Sequence, residues 1–253
     1  MEQRERVLIV SVQTTQTDED FAYANQELAQ LVDTAMGEVV ATVTQRRESI
    51  SGRTLVGKGK VEEISHLVDE LEVDLVVFYQ SLTGSMVKNL NESINCRIID
   101  RVQLILDIFA MRARSKEGKL QVQLAQLNYL LPRLSGQREG LSRQGGGIGT
   151  RGPGETRLET DRRYIRKQIQ DIEEQLEQIK KHRERSREKR KSSNGFQLGL
   201  IGYTNAGKST ILNQLTQAGT YQMDQLFATL DPLTRQVDLF PNFEVTLTDT
   251  VGF

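Results

Sequence analysis

The stretch LGLIGYTNAGKST at residues 198–210 joins an apolar run of strand length to a helical pattern through the spacing GxxxxGK[ST]. The loop comprises Gly202, Tyr203, Thr204, Asn205, Ala206, Gly207, Lys208 and Ser209. In such a loop the backbone N–H groups surround phosphates, the lysine neutralises the β- and γ-phosphates, and the serine hydroxyl binds Mg2+. We therefore predict a phosphate-binding loop with Lys208 as a catalytic residue and Ser209 as a metal ligand.

Two later segments supply switch features. FATLDP at 227–232 places Thr229 in a loop before the strand RQVDLF, where its hydroxyl can complete the Mg2+ shell and sense the γ-phosphate. VTLTDTVGF at 245–253 brings a second strand ending at Asp249, a carboxylate predicted to hold the metal through water. The predicted nucleotide contacts in these segments are Phe227, Ala228, Thr229, Leu230, Asp231, Asp249, Thr250, Val251 and Gly252. This order of loop, threonine and DxxG indicates a switch GTPase, and a plain strand-end turn at Asp249 is the less favoured alternative.

The first part of the sequence alternates between short apolar runs and helical patterns. Strand-like runs lie at 7–12, 39–44, 74–79 and 96–100, and helical periodicity lies at 18–37, 60–72 and 85–94. Strands that alternate with helices predict a parallel α/β domain, which we assign to residues 1–112. The glycine- and lysine-rich stretch at 57–60 lacks the phosphate-loop spacing, so a plain turn before a helix is favoured there.

The middle of the chain carries two leucine- and isoleucine-rich seams with coiled-coil spacing. The first contains Leu120, Leu124, Leu127, Leu131 and Leu134, and the second contains Leu158, Ile165, Ile169, Ile172, Leu176 and Ile179. Two such helices joined by a loop most simply form an antiparallel hairpin. We predict this hairpin over residues 113–194, with the glycine-rich loop 135–155 at its tip and a partial P-loop G domain at 195–253.

Positive charge is concentrated in the hairpin, where residues 133–197 carry 17 Lys and Arg against 10 Asp and Glu. The tip loop is interpreted either as a flexible linker or as a probe that moulds itself to a phosphate-rich surface. The basic run at 180–191 is either a solvated helix face or an RNA contact. The candidate RNA-binding residues are Arg138, Arg143, Arg151, Arg157, Lys180, Lys181 and Arg183.

Composition narrows the class of protein. The chain has 253 residues, one cysteine and two histidines, so neither an intramolecular disulfide nor a cysteine- and histidine-based zinc site is expected. No run approaches the roughly 18 apolar residues of a membrane span. We expect a cytoplasmic, monomeric protein.

Several segments together resemble the HflX family of translational GTPases, and the match runs almost end to end. They are LILDIFAMRARSKEGKLQVQLAQLNYLLPRL, GGGIGTRGPGETRLETDRR, GYTNAGKST, FATLDP and DTVGF. The resemblance implies an N-terminal α/β domain with a helical hairpin, followed by a G domain. It also implies GTP and GDP as ligands, the large ribosomal subunit and its rRNA as partners, and separation of ribosomal subunits under stress.

The resemblance bears on hydrolysis as well. Phe253 stands where Ras-like enzymes have a water-orienting glutamine, as in other GTPases with an apolar residue at that place. Asn205 matches a P-loop asparagine that holds potassium in related GTPases, so K+ is an expected second cofactor beside Mg2+. A complete G domain continues with an NKxD turn that reads guanine, and this sequence ends before it. The alternatives are therefore a ribosome-binding module with an inactive nucleotide site and, less favoured, an RNA-dependent ATPase.

Overall fold

The computed structural model describes residues 4–50, 52–136, 153–191, 196–203, 206–216, 226, 233–240 and 243–250. Within these residues the chain forms a mixed α/β arrangement, which confirms the predicted fold class. It divides into two compact units. The first unit contains Met1–Asp107 and Ala125–Ile169, and the second contains Ile108–Leu124 and Gln170–Phe253.

Four parallel strands form the sheet of the first unit. They are β1 (Glu5–Gln13), β2 (Gly37–Arg46), β3 (Leu75–Phe78) and β4 (Arg97–Asp100), in the order β2-β1-β3-β4. Strands β1 and β3 are buried along almost their whole length, as expected for parallel strands covered on both faces. Strand β4 pairs only with β3 and is therefore an edge of this sheet.

Helices alternate with these strands, as predicted. They are α1 (Asp18–Thr34), α2 (Lys58–Glu70) and α3 (Gly84–Asn91). The predicted end of α1 at residue 37 is wrong because Gly37 already begins β2, after a turn in which Met36 has a φ of 64°. Gly57 is the N-cap of α2, so the glycine- and lysine-rich stretch is a turn that starts a helix.

Helix α4 (Arg101–Arg112) follows β4 directly and was not among the predicted elements. Asp100 begins it as an N-cap, because its Oδ1 accepts a hydrogen bond from the backbone N–H of Gln103 at 3.0 Å. The sequence carries the corresponding signal, an Asp followed three residues later by Gln at the end of an apolar run.

Helices α5 (Lys116–Gly136) and α6 (Pro153–Lys191) form the predicted antiparallel hairpin. Arg183 Nη2 lies 3.1 Å from Glu117 Oε1, which pairs the first turn of α5 with the later part of α6. Of the second seam, Ile165 and Ile172 are buried. The five leucines of the first seam are only half-buried, whereas Val122 of α5, which is not one of them, is buried. No helix in the described part of the chain is long and apolar enough to cross a membrane.

A second sheet lies in the last part of the chain. Its elements are β5 (Phe196–Leu200), α7 (Lys208–Thr216), β6 (Leu233–Phe240) and β7 (Phe243–Asp249). Strand β7 is central, parallel to β5 and antiparallel to β6. Leu212 of α7 packs on the sheet side chains of Val237, Val245 and Leu247, so this helix covers one face of the sheet.

Candidate nucleotide site

The phosphate-loop sequence lies where its spacing predicted, between strand β5 and helix α7. Gly207 has a φ of +80°, a left-handed conformation that side chains with a Cβ rarely adopt. The N–H of Ile211 then donates to the Gly207 carbonyl at 3.0 Å, which closes the first turn of α7. The glycine before the lysine is therefore required by the turn that starts the helix, and this turn points the helix N-terminus at the loop.

The side chain of Lys208 folds back over its own loop. Its Nζ donates to the carbonyl of Gly202 at 2.8 Å and to the carbonyl of Tyr203 at 2.6 Å. Two carbonyl acceptors hold the ammonium group beside the backbone that is predicted to surround the phosphates. An ammonium fixed in this way is placed to neutralise an anion inside the loop.

Asp249 ends strand β7 opposite the start of the same loop. It is paired in register with Leu200, the last residue of β5, and only 1% of it is exposed. The hydroxyl of Thr250 donates to the Leu200 carbonyl at 2.6 Å, so the turn after Asp249 is tied to the strand that leads into the loop. The register and this hydrogen bond bring the predicted metal-binding carboxylate and the phosphate loop to one edge of the sheet.

The remaining predicted nucleotide contacts are described only in part. Tyr203 is 77% exposed, and Ala206 is also exposed. Ser209 lies in the first turn of α7 by its backbone. Residues outside the described part of the chain are Thr204, Asn205, Phe227, Ala228, Thr229, Leu230, Asp231, Val251 and Gly252.

The candidate RNA contacts fall mainly on α6. Lys180, Lys181 and Arg183 are exposed, with Lys181 Nζ 3.8 Å from Glu177 and Arg183 paired with Glu117. Among the described residues Lys180 has no ion-pair partner. Arg157 is described only as part of the helix, and Arg138, Arg143 and Arg151 lie outside the described residues.

Sequence reasoning missed a buried polar cluster in the first unit, formed by Asp100, Tyr129 and Arg133. Tyr129 Oη donates to Asp100 Oδ1 at 2.7 Å, and Arg133 Nη2 donates to Asp100 Oδ2 at 3.0 Å. The guanidinium also stacks on the Tyr129 ring, 3.4 Å from its centroid. Burial is the main cause that raises the pKa of the Tyr129 hydroxyl. The hydrogen bond that Tyr129 donates to Asp100 and the negative charge of Asp100 raise this pKa further. The cluster fastens α5 to the end of β4.

Comparison with known families assigns almost every part of the chain. Residues 22–110 match the family described as GTP-binding GTPase N-terminal, and residues 112–190 match the GTP-binding GTPase middle region. Residues 197–253 match the family described as 50S ribosome-binding GTPase. GTPase HflX of Alkalihalophilus pseudofirmus is 59% identical over 249 residues, which is 98% of this chain. The chain belongs to the HflX family.

Other HflX relatives are similar over the same span. GTPase HflX of Escherichia coli is 46% identical over 249 residues, again 98% of this chain. The chain spans 59% of the length of the Alkalihalophilus relative and 58% of the Escherichia relative.

Solved structures share the fold. A GTP-binding protein from Sulfolobus solfataricus in complex with GDP matches with a TM-score of 0.50 and 21% identity, over 98% of this chain and 61% of that one. The structure of the SsGBP and GDP complex matches with a TM-score of 0.55 and 24% identity, over 98% of this chain and 63% of that one.

Proposed function

We propose that this chain binds and hydrolyses GTP and that it associates with the large ribosomal subunit. The observation that supports GTP binding is that the loop carrying Lys208 follows β5 where Leu200 pairs with Asp249 of β7, and the Thr250 hydrogen bond ties these two strand ends together. The names of the HflX relatives and of the 50S ribosome-binding family support GTP as the nucleotide and the ribosome as the partner.

The residues of the site fit a magnesium nucleotide. The proposed metal ligands are the hydroxyls of Ser209 and Thr229 and, through water, the carboxylate of Asp249, and hard oxygen donors of this kind suit Mg2+. Bound Mg2+ would neutralise charge on the β- and γ-phosphates. Lys208 would exchange its carbonyl partners for phosphate oxygens, and the backbone of the loop would orient the γ-phosphate for attack by water. We further propose Asn205 as a K+ ligand, and equal turnover in sodium and potassium buffers would count against this role.

The nucleotide site is tested by substituting its lysine. Lys208→Ala should weaken binding of a fluorescent GTP analogue by about tenfold to a hundredfold, since one charged hydrogen bond is worth roughly 1.5–3 kcal/mol. Lys58→Ala is the matched control, because Lys58 also follows a glycine at the start of a helix, is exposed, and lies in the stretch 57–60 that lacks the phosphate-loop spacing. Unchanged affinity in the Lys208 variant, or an equal loss in the control, would contradict the proposed site. Tighter binding of an ATP analogue would point to the ATPase alternative.

The hairpin is the proposed ribosome contact. Lys180, Lys181 and Arg183 are exposed on α6 within the most basic part of the chain, and backbone phosphates attract such residues through release of counterions. The exposed side of the helix therefore suits rRNA, and the glycine-rich segment between α5 and α6 is proposed to contribute Arg138, Arg143 and Arg151. Binding to ribosomes would put the protein in the cytoplasm, and separation of the subunits under stress is the proposed consequence.

Salt dependence tests this contact. Association of the chain with isolated large subunits, measured by co-sedimentation across a salt series, should weaken linearly in log affinity against log salt. Lys180→Ala should reduce this slope by about 0.7–0.9 if Lys180 neutralises one phosphate, whereas Lys58→Ala should leave it unchanged. Binding that is independent of salt would contradict an rRNA contact. Binding that ignores GTP would favour the ribosome-binding module without an active nucleotide site.

A further inference from the structure

A cavity of about 270 Å3 lies in the first unit beside the edge strand β4, and the nucleotide site makes no use of it. Helices α3, α4 and α5 form its other walls. The apolar part of the lining includes Val87, Ile98 and Leu106. The polar part includes Gln103, Asp107, Gln126 and also Arg133, whose charge is paired with Asp100. Mostly apolar walls with a few polar groups are typical of small-molecule sites, and the volume suits a ligand of about ten non-hydrogen atoms.

The two carboxylates of this cavity differ in their partners. Asp100 is fully buried and is neutralised by Arg133, with further hydrogen bonds from Tyr129 and from the backbone N–H groups of Leu82 and Gln103. The charge of Asp100 and its hydrogen-bond acceptor sites are therefore already occupied by groups of the protein. Asp107 is half-buried on α4, and among the described residues its carboxylate has neither a hydrogen-bond nor an ion-pair partner.

The surroundings of Asp107 disfavour the ionised form of its carboxyl group. Burial raises the pKa of this carboxyl group, and the positive charge of Arg97 opposes the shift. Arg97 itself is paired with Glu5 at 3.2 Å, and the charge of Glu5 raises the pKa of Asp107 further. Arg97 forms its direct ion pair with Glu5 and none with Asp107, so a cation that enters the cavity could pair directly with the half-buried Asp107 carboxylate and lower the cost of its charge.

We propose that the cavity binds a small organic cation, an ammonium group on an apolar or aromatic body, with the Asp107 carboxylate as its counter-ion. The side-chain amides of Gln103 and Gln126 have no partner within the described residues, so their oxygens are available as further acceptors for the ammonium group. Val87 and Leu106 supply apolar contact for the body of the ligand. An anionic ligand would instead place a second negative charge beside Asp107.

Benzylamine is a suitable probe, because benzyl alcohol and benzoate keep its size and ring while changing its charge. Each compound is titrated into the full 253-residue chain, and backbone 1H–15N chemical shifts are followed. Benzylamine should give saturable shifts at Gln103, Asp107 and Gln126. It should bind at least tenfold more tightly than benzyl alcohol or benzoate.

Substitution of the carboxylate completes the test. Asp107→Asn should weaken benzylamine binding at least tenfold with the shape of the cavity retained, and Asp107→Ser gives a second variant without the charge. Asp69→Asn is the matched control, since Asp69 is exposed on α2 and does not line the cavity. The proposal is overturned if benzyl alcohol binds as tightly as benzylamine, if the Asp107 variants keep full affinity, or if no saturation is reached at millimolar concentration. These outcomes are independent of GTP binding, which the Lys208 variant tests.

Discussion

Replacing Asp100 by asparagine should destabilise the first unit more than any conservative surface substitution. The two carboxylate oxygens of Asp100 accept four hydrogen bonds. Oδ1 accepts from Gln103 N and Tyr129 Oη, and Oδ2 accepts from Leu82 N and Arg133 Nη2, at 2.7–3.0 Å. Asparagine keeps the shape but turns one of these oxygens into a donor, which then faces at least one partner that can only donate, the Gln103 N–H or the Leu82 N–H and Arg133 guanidinium.

The size of the effect follows from what is left unpaired. The substitution removes the charge opposite Arg133, whose side chain is only 20% exposed, and it breaks at least one of the four hydrogen bonds. Removing one partner of a buried ion pair costs about 3–5 kcal/mol. We expect the lower end, about 3 kcal/mol, because the guanidinium keeps its hydrogen bonds to the carbonyls of Leu82 and Tyr129. For a unit of this size that corresponds to roughly 6–12 °C in Tm.

Urea unfolding followed by far-UV circular dichroism measures this loss, since the chain contains no tryptophan to serve as a fluorescent probe. Asp69→Asn, on the exposed side of α2, is the control and should change stability by less than about 0.5 kcal/mol. Adding Arg133→Met to Asp100→Asn should recover part of the loss, because the unpaired charge is then removed as well. A loss below about 1 kcal/mol, or a double variant as unstable as the sum of its single changes, would refute the reasoning.

Three further substitutions test other contacts. Gly84→Ala would place a Cβ in steric conflict with the backbone oxygen of Arg133 in α5. The free energy of unfolding in urea should therefore fall by about 1–3 kcal/mol. Unchanged stability would mean that α5 can shift to accommodate the methyl group. Burial and a carboxylate acceptor raise the pKa of Tyr129 above its unfolded value of about 10. The stabilising contribution of protonated Tyr129 is therefore complete below about pH 10 and is lost as the pH rises above that value. Urea midpoints measured from pH 8 to 11 should fall more steeply in the parent than in Tyr129→Phe. Parallel curves for the two proteins would contradict this role of Tyr129. Thr250→Val removes the hydrogen bond to the Leu200 carbonyl, which is worth about 1 kcal/mol. The variant should bind a GTP analogue more weakly, with a larger loss of affinity in Mg2+ than in EDTA. Equal losses in the two buffers would show that the bond does not position Asp249, the proposed metal ligand.

The phosphate loop was predictable because its determinants are local. Gly207, Lys208 and the acceptors of the Lys208 ammonium group lie within a few residues of one another, so the spacing in the sequence already fixes the turn. Helix α4, by contrast, was not predicted from the local sequence pattern. It begins directly after β4 without a glycine, a proline or a loop, and the Asp100 cap was the one local mark of its start.

The sequence by itself determined most of the strands and helices apart from α4, the parallel pairing in the first sheet, and the place of the phosphate-loop motif between a strand and a helix. These features depend on residue type and on short-range periodicity. Only the tertiary structure decided that Asp100 meets Tyr129 and Arg133, which are 29 and 33 residues away, and that a cavity lies beside Asp107. An apolar pattern shows that a helix face will be buried, but the neighbour that buries it is set by how distant segments pack.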